Sequence, residues 1–594
     1  MSFLVRRHGD GGGTHINGHY VPTMDEMMEY QATREPWDSS VKYGRYTVYF
    51  CAVSLAVFFL VHWIKVLILW TRLNGGAPVF PSKLTALLRL LTYPRLPYPI
   101  AKIVNYVWTI GPLGPNILLF IALLYTSLYC WVNEYYYRPP FYGSPPLALR
   151  SEWIATALVP FVFVLGAKRN LISWIIGVSH DKLQVFHQGV AFIIVYFSMV
   201  HAISEIVQSK MELPWTQVYG SDPIWWTGFA ALGSLIWLYL GSLPIVRKRL
   251  YECFYVLHIA ASILFVAFLY KHGFGLLDTD AYMKATLILF GFGFLARFLY
   301  MVVINVFFRH RAQLSLQSGL VRIAIPTNLN WSPGMHIFIR FVHVRPFESH
   351  PFTLSSLPAP KGEGRKQNEM TFLIKPETGF TRLLSAVAAT ATPGREFPVI
   401  LDGPYGEGGM NSLRAFDSVL LLAGGTGISF ILPLLSDLAR SMKDKNSLCK
   451  VVELVWAVKD IGLVKSFESQ LLEAKQVASS AGGAINVQIY TTGTSPGDEE
   501  LNLDGRSSEK NVEEEEGDSI SREFTSTAHT GRPNIPSIVI SKSKMWTGHA
   551  AVAVCGPLSL MTDASNAVSR VQLDILSGRA TCKEMHLRSE TFGW

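Results

Sequence analysis

His187 and His201 stand fourteen residues apart in one apolar run, and His258 and His272 stand fourteen apart in another. At ~100° per residue this spacing is ~1400°, within ~40° of four full turns, so each pair shares one helix face; the rise between the two is ~21 Å. The two runs enter the membrane from the same side with one apolar run between them. His187 is therefore level with His258, and His201 with His272. Two imidazoles at each of two depths is the arrangement that two stacked six-coordinate haems need, each ring giving a neutral nitrogen to iron. A single intramembrane histidine is more often a packed, hydrogen-bonded residue. Packing alone does not produce two pairs of identical spacing at matching depths. His62 and His180 have no matched partner and read as structural. Arg169, Arg249 and Arg297 are cations placed to meet haem propionates, although ordinary loop charge accounts for Arg169 and Arg249 taken singly.

Such ligands need membrane-spanning helices, each ~20 predominantly apolar residues long. The 594-residue chain is 49% apolar and 16% charged, with mean hydropathy +0.26; soluble proteins carry roughly 25% charged residues. Seven runs qualify: Tyr46–Trp70, Pro115–Asn133, Trp153–Ala167, Lys182–Val207, Trp225–Leu243, Leu250–Lys271 and Ala281–Phe308, the third being short. Residues 1–45 are polar and Gly/His-rich, with no apolar core of a cleavable signal peptide. Seven spans put the termini on opposite sides. One set of connections holds twelve basic residues (Arg72, Lys83, Arg89, Arg95, Lys102, Lys168, Arg169, Arg247, Lys248, Arg249, Arg309 and Arg311) and the other holds Arg138, Arg150 and Lys210. This bias predicts a cytosolic C-terminus and an external N-terminus. The net charge of +8 is thus a topology signal. Basic and acidic residues alternate through 312–594, which argues against a nucleic-acid partner. The six cysteines form no CxxC pair, and no disulfide or zinc framework is expected.

Beyond Arg311 the chain reads as a soluble module of strands, turns and amphipathic helices. His350-Pro351-Phe352-Thr353-Leu354-Ser355 is an extended segment of aromatic surface and hydroxyls, suited to lie along an isoalloxazine ring and its ribityl chain. Lys375 and Gly379-Phe380-Thr381 precede a helical stretch, Thr381–Ala389, whose N-terminus suits a pyrophosphate. A plain barrel rim is the alternative for both. Ser418–Leu422 is an apolar run typical of a buried parallel strand. It is followed by Gly424-Gly425-Thr426-Gly427 and an amphipathic helix, the order of a phosphate cradle. The strand Val451–Val458 ends at Lys459, placed to meet an adenosine 2′-phosphate or to be a solvated loop lysine. The strand Ala550–Val554 ends in Cys555-Gly556-Pro557. The carboxyl end of such a strand would let Cys555 face a nicotinamide; a small buried cysteine is the alternative. Residues 495–545, with Glu513-Glu514-Glu515-Glu516, read as a disordered acidic insertion.

The His-x13-His runs, Arg169-Asn170, His350-Pro351-Phe352-Thr353, Gly379-Phe380-Thr381, Asp402-Gly403-Pro404-Tyr405-Gly406, Gly424–Ser429, Cys555-Gly556-Pro557 and the terminal Glu590-Thr591-Phe592-Gly593-Trp594 together resemble the ferric reductase family of fungal plasma membranes, relatives of the NADPH oxidases. The resemblance runs from about residue 110 to the end. It implies a polytopic membrane domain (46–311) holding two b-type haems, with a tail (1–45) before it. After it come a ferredoxin-reductase-like module of an FAD-binding β-barrel (312–410) and an NADPH-binding α/β domain (411–594). By the same resemblance, His350, Pro351, Phe352, Thr353 and Ser355 hold the flavin with Lys375 nearby, and Thr381 meets its phosphates. Gly424, Gly425, Thr426, Gly427 and Gly556 meet NADPH, and Phe592 covers the flavin face until nicotinamide displaces it. The implied activity is electron transfer from cytosolic NADPH through FAD and two haems to external ferric or cupric chelates, in the lipid of the plasma membrane, with an iron permease or oxidase uptake system as partner. Two other functions compete. An NADPH oxidase would use the same machinery on dioxygen; a transporter with a nucleotide-sensing domain would hold no haem.

Overall fold

In the computed structural model the described residues are 14–16, 19–21, 23–26, 37–75, 82–109, 111–132, 144–212, 223–317, 319–359, 368–392, 394–407, 413–493 and 528–590. They fall into two compact units. One comprises Met1–Leu60, Lys102–Gly111 and Pro115–Arg297; the other comprises Val61–Ala101, Pro112–Gly114 and Phe298–Trp594.

Seven helices among the described residues are long and apolar enough to cross a membrane. They are α1 (Val41–Leu73), α2 (Leu113–Trp131), α3 (Pro146–Gly166), α4 (His180–Glu212), α5 (Pro223–Gly241), α6 (Tyr251–His272) and α7 (Thr279–Phe308). The expected short third span is corrected. α3 begins at Pro146, a residue suited to the first helical position, and so gains two turns. Arg150 lies inside α3 rather than in an external loop, and is only 2% exposed. The guanidinium donates to the Cys130 carbonyl at 3.4 Å and lies 5.5 Å from the Tyr43 ring centre. A carbonyl and an aromatic face tolerate the charge, so the helix does not end there. α3 packs along α4, and α5 along α6. Around α3 the core gathers Trp153, Ile154, Leu158, Ile193, Ile194, Phe197 and Phe265.

In the second unit, β1 (Arg311–Gln317), β2 (Leu320–Thr327), β3 (His336–Phe341), β4 (His350–Thr353), β5 (Asn368–Ile374) and β6 (Glu396–Tyr405) form an antiparallel sheet of order β4-β3-β6-β1-β2-β5. Alternate residues such as Val321, Ile323 and Ile325 enter the core with Ile337, Ile339, Phe341 and Phe372. The end of α7 is tied to this barrel by Asn305. Its Nδ2 donates to the Leu401 carbonyl and its Oδ1 accepts from the Leu401 amide, both at 2.8 Å.

A second sheet is wholly parallel. Its strands β7 (Ser418–Gly424), β8 (Val451–Val458), β9 (Ala484–Thr491), β10 (His529–Thr530), β11 (Gly548–Cys555) and β12 (Cys582–Glu590) lie in the order β10-β9-β8-β7-β11-β12. β7 is apolar on both faces because helices cover both. The order runs outward from β7 through β8 and β9, then restarts on the other side with β11. This makes the β7/β11 gap the topological switch point, where such sheets bind ligands at their carboxyl ends.

Part of the expected disordered insertion is folded. His529–Thr530 pairs with β9, and the helix Ile535–Met545 buries Ile535 and Val539. The apolar residues from Ile535 onward supply the face that the acidic stretch lacks. Residues 494–527 lie outside the described residues.

The sequence reads the stretch from Arg72 to Lys102 only as a connection carrying basic charge. Its helix Ser82–Thr92 packs on Leu558–Leu576 beside β12. Arg72 and Arg89, the latter at 2.5 Å, both bind the buried carboxylate of Glu584 on β12. Tyr93 hydroxyl bonds the His586 ring at 3.1 Å and accepts from the Leu587 amide at 3.4 Å. The edge strand is thus covered.

Candidate functional site

The four histidines form two tiers. The ring centres of His187 and His258 are 6.3 Å apart, and those of His201 and His272 are 6.2 Å apart. Two imidazoles bound to one iron at about 2.0 Å each put their ring centres roughly 6 Å apart. Every Nδ1 is already committed. His187 donates to the Val162 carbonyl at 2.8 Å, His201 to Ala148 at 3.1 Å and His272 to Ile224 at 2.9 Å. His258 donates to Ser242 Oγ at 3.1 Å, and that hydroxyl donates in turn to the Leu238 carbonyl. These bonds fix the tautomer and leave each Nε2 with its lone pair, the arrangement of a metal-ligating imidazole with an oriented outer partner. The residues present therefore fit a haem iron at each tier.

Two glycines complete the seats and were not singled out from the sequence. A Cβ on Gly166 would sit 3.1 Å from His187 Cε1, and one on Gly228 would sit 2.7 Å from His272 Cε1. A glycine inside a span opposite a histidine was the available signal. Gly228→Ala must push the His272 ring aside, while Gly233 faces open space. Gly228→Ala is therefore expected to lower haem content at the His201/His272 tier, Gly166→Ala to do less, and Gly233→Ala to leave the haem spectrum unchanged. Equal spectra in all three would break the link between ring seat and ligation.

Of the cations proposed near the His187/His258 tier, Arg249 is exposed, and Arg169 lies just after α3. The residue that sequence reasoning missed is Arg247, half-buried and within electrostatic reach of His187. It donates to Thr109 Oγ1 at 3.4 Å, and its buried Nε has no partner among the described residues.

In the barrel the two proposed flavin segments meet. The His350 ring stacks on Phe380 at 4.2 Å and 10°, and Phe352 and Phe341 also approach Phe380. This joins His350–Thr353 to the N-terminus of the helix Gly379–Thr390, which has no side-chain cap. Gly379, at φ +59°, takes the left-handed turn that a side chain would resist. Thr381 Oγ1 is engaged locally, accepting from the Glu377 amide and donating to the Thr378 carbonyl. The free donors there are backbone amides, as an anion site at a helix start requires. Ser355 Oγ is buried with no protein partner among the described residues, which leaves it for a ligand hydroxyl. Lys375, just after β5, is exposed.

In the parallel sheet the two proposed loops abut at the switch point. A Cβ on Gly427 would lie 2.3 Å from the Cys555 carbonyl, and one on Gly424 would lie 2.6 Å from Pro557. Glycine is thus required for Gly424–Gly427 to approach Cys555-Gly556-Pro557. Trp456 on β8 donates to the Gly425 carbonyl at 3.0 Å and holds the loop. Gly425 has φ +55° and nothing within 4 Å of an added Cβ, so the cradle opens toward ligand space beside Thr426. Cys555 is fully buried, and burial pushes its thiol well above the ordinary value. It stays neutral, which suits a packing surface and not an acid or base. Lys459 follows directly on β8 and is exposed. Phe592 lies outside the described residues.

Residues 151–269 match the ferric reductase like transmembrane component, 311–408 an FAD-binding domain, and 416–569 the ferric reductase NAD binding domain. A probable cell surface ferric reductase, kap2, of Aspergillus oryzae is 29% identical over 67% of this chain and 55% of its own length. Ferric/cupric reductase transmembrane component 7 of Saccharomyces cerevisiae is 29% identical over 77% of this chain and 74% of its own. This chain thus spans about half of the first relative and three quarters of the second. Among solved structures, a flavohemoglobin from Malassezia yamatoensis aligns with 74% of this chain and 96% of its own at 12% identity and TM-score 0.36. That likeness is too low to bear on the fold, which rests on the topology above.

The fold and the matched domains define a polytopic membrane protein with seven candidate spans followed by FAD-binding and NAD-binding domains. The chain carries domains that match the ferric reductase transmembrane, FAD-binding and ferric reductase NAD binding models, and it is similar to ferric and ferric/cupric reductases of fungi.

Proposed function

We propose that this chain transfers electrons from cytosolic NADPH across the plasma membrane to external ferric chelates, and to cupric chelates by the same outer-sphere route. The observation that carries the reading is the pair of histidine tiers, in one chain with a flavin barrel and a nucleotide sheet. The positive-inside bias supports a cytosolic module and an external N-terminus. One NADPH reduces two ferric ions and leaves NADP⁺ and a proton. Iron in its ferrous form is then available to a permease.

His187 with His258, and His201 with His272, would hold the two haems, and the buried Arg247 donor would meet a propionate of the inner one. His350–Thr353, Ser355 and the helix start at Gly379 would hold FAD. Gly424–Gly427 and Gly556 would receive NADPH, with Cys555 as a neutral wall beside the nicotinamide. Bound flavin and haem supply the change from a two-electron donor to one-electron steps. The chain's own part is to fix the ring nitrogens, present uncapped amides to phosphates and keep water from the membrane tiers.

Two nucleotide predictions test this assignment. Gly425→Val strains a position at φ +55° by ~1–2 kcal/mol and fills the open side of the cradle, so NADPH-driven reduction should fall to background. Lys459→Ala should raise KM for NADPH several-fold and leave KM for NADH unchanged. Equal shifts for both nucleotides would make Lys459 a bystander.

The acceptor is tested with NADPH-loaded vesicles and an external ferric chelate. Direct reduction should proceed under argon at a rate comparable to that in air and should ignore superoxide dismutase. Loss of activity under argon, or suppression by the dismutase, would transfer the reading to an NADPH oxidase. Reduction only from the opposite face would invert the topology.

A further inference from the structure

Lys271 immediately precedes His272 at the end of α6. Its side chain is exposed, and its ammonium lies 5.2 Å from the ring centre of Trp226. Trp226 is 43% exposed and stands two residues beyond Ile224, whose carbonyl orients His272. The turn of α5 that fixes the ligand therefore also holds the cation. Acidic groups also face this tier, beside His201. Glu152 on α3 is 3.6 Å from His201 Nδ1, and Glu205 on α4 lies close to Glu152; both are partly buried. Among the described residues no group of three or more His, Cys, Asp or Glu could hold a metal ion. An intact chelate would meet the protein by approach to the outer tier. Ferric ions bound by hydroxycarboxylates or polycarboxylates are anions, and a fixed cation raises their local concentration.

We propose that Lys271 is a docking cation for the electron acceptor, and that the acceptors it favours are negatively charged ferric chelates. The proposal rests on the outward electron flow argued above. A lysine at the water end of a span also serves as a snorkelling anchor, a role indifferent to the charge of the acceptor.

The test uses the full-length protein in NADPH-loaded vesicles, with Lys271→Gln and Lys271→Glu compared to the unchanged chain. External ferric citrate serves as the anionic acceptor and hexaammineruthenium(III) as the cationic one; each metal centre takes one electron. With haem spectra unchanged, KM for ferric citrate should rise about threefold in Lys271→Gln and about tenfold in Lys271→Glu, while kcat holds. KM for the ruthenium complex should fall. Both shifts should shrink toward unity at roughly 0.5 M salt, where screening acts over only a few ångströms. Parallel shifts for the two acceptors, or none, would overturn the docking role. If the unchanged chain reduces neither acceptor from outside, the direction of flow fails and the proposal fails with it, a result distinct from the first.

Discussion

His187→Ala or His258→Ala is expected to remove the inner haem, and His201→Ala or His272→Ala the outer one. Each change takes away one of the two imidazoles that would hold the iron of its tier; the paired ring centres are 6.3 and 6.2 Å apart in the two tiers. The haem absorbance should fall by about half in each variant, since one of the two proposed haem sites would be lost. Transmembrane reduction should drop to background in all four, because the tiers act in series. Reduction of a soluble dye on the cytosolic face by NADPH should survive, most fully in the outer pair. Ser242→Ala offers a finer version. It removes the acceptor that orients His258 Nδ1, and loss of such an outer partner typically costs 10–100-fold in metal affinity. The inner site should therefore become the more labile one, with haem lost first from that tier on dilution in detergent. Full haem content in any histidine variant would refute the ligand assignment, whatever the activity did.

What the sequence made legible follows from what periodicity encodes. A fourteen-residue interval fixes a helix face and a depth, so the pairing of His187 with His258 could be read before any coordinates. The second coordination layer could not. The acceptors for Nδ1 are mostly backbone carbonyls at Val162, Ala148 and Ile224, on other helices, and carbonyls carry no sequence signature. The strand-turn-helix order of Gly424–Ser429 was also legible, but not the abutment of Gly427 on Cys555, which depends on β7 lying beside β11 across a long crossover. Span ends were read less well, because composition windows end a helix at a charge. Arg150 lies within α3 since Tyr43 and the Cys130 carbonyl receive it. The same blindness to distant partners hid the role of Arg72 and Arg89. Local reasoning counts them as topology charges, and they also bind a carboxylate 512 and 495 residues away in sequence.

That carboxylate gives the prediction with the largest effect on stability. Glu584 is 7% exposed and is bound by both guanidiniums. Burial alone would push its pKa up, but Arg89 and Arg72 beside it outweigh burial and hold it below the ordinary carboxylate value. A lowered folded-state pKa contributes stability that is present above the unfolded value of about 4.3 and is lost as pH falls through the folded one. Glu584→Gln keeps the shape and removes the charge, leaving two largely buried guanidiniums without it. Breaking a buried ion pair from one side costs about 3–5 kcal/mol. For a unit of this size that is a fall of roughly 10 °C in thermal midpoint at neutral pH. The measurement is NADPH-to-dye activity after stepwise heating of the detergent-solubilised protein, with haem absorbance followed in parallel. Activity should be lost earlier in Glu584→Gln while the haem spectrum holds, since Glu584 belongs to one compact unit and the histidines to the other. The gap between the unchanged chain and Glu584→Gln should narrow as the pH falls from about 4.3 through the lowered folded-state value, because protonation of Glu584 then leaves the unchanged chain without that charge as well. Arg72→Met with Glu584→Leu, which removes one charge of each sign, should recover part of the loss. An unchanged midpoint in Glu584→Gln would show that Arg72 and Arg89 are ordinary loop charges after all, and that Val61–Ala101 is held to β12 by its apolar packing on Leu558–Leu576.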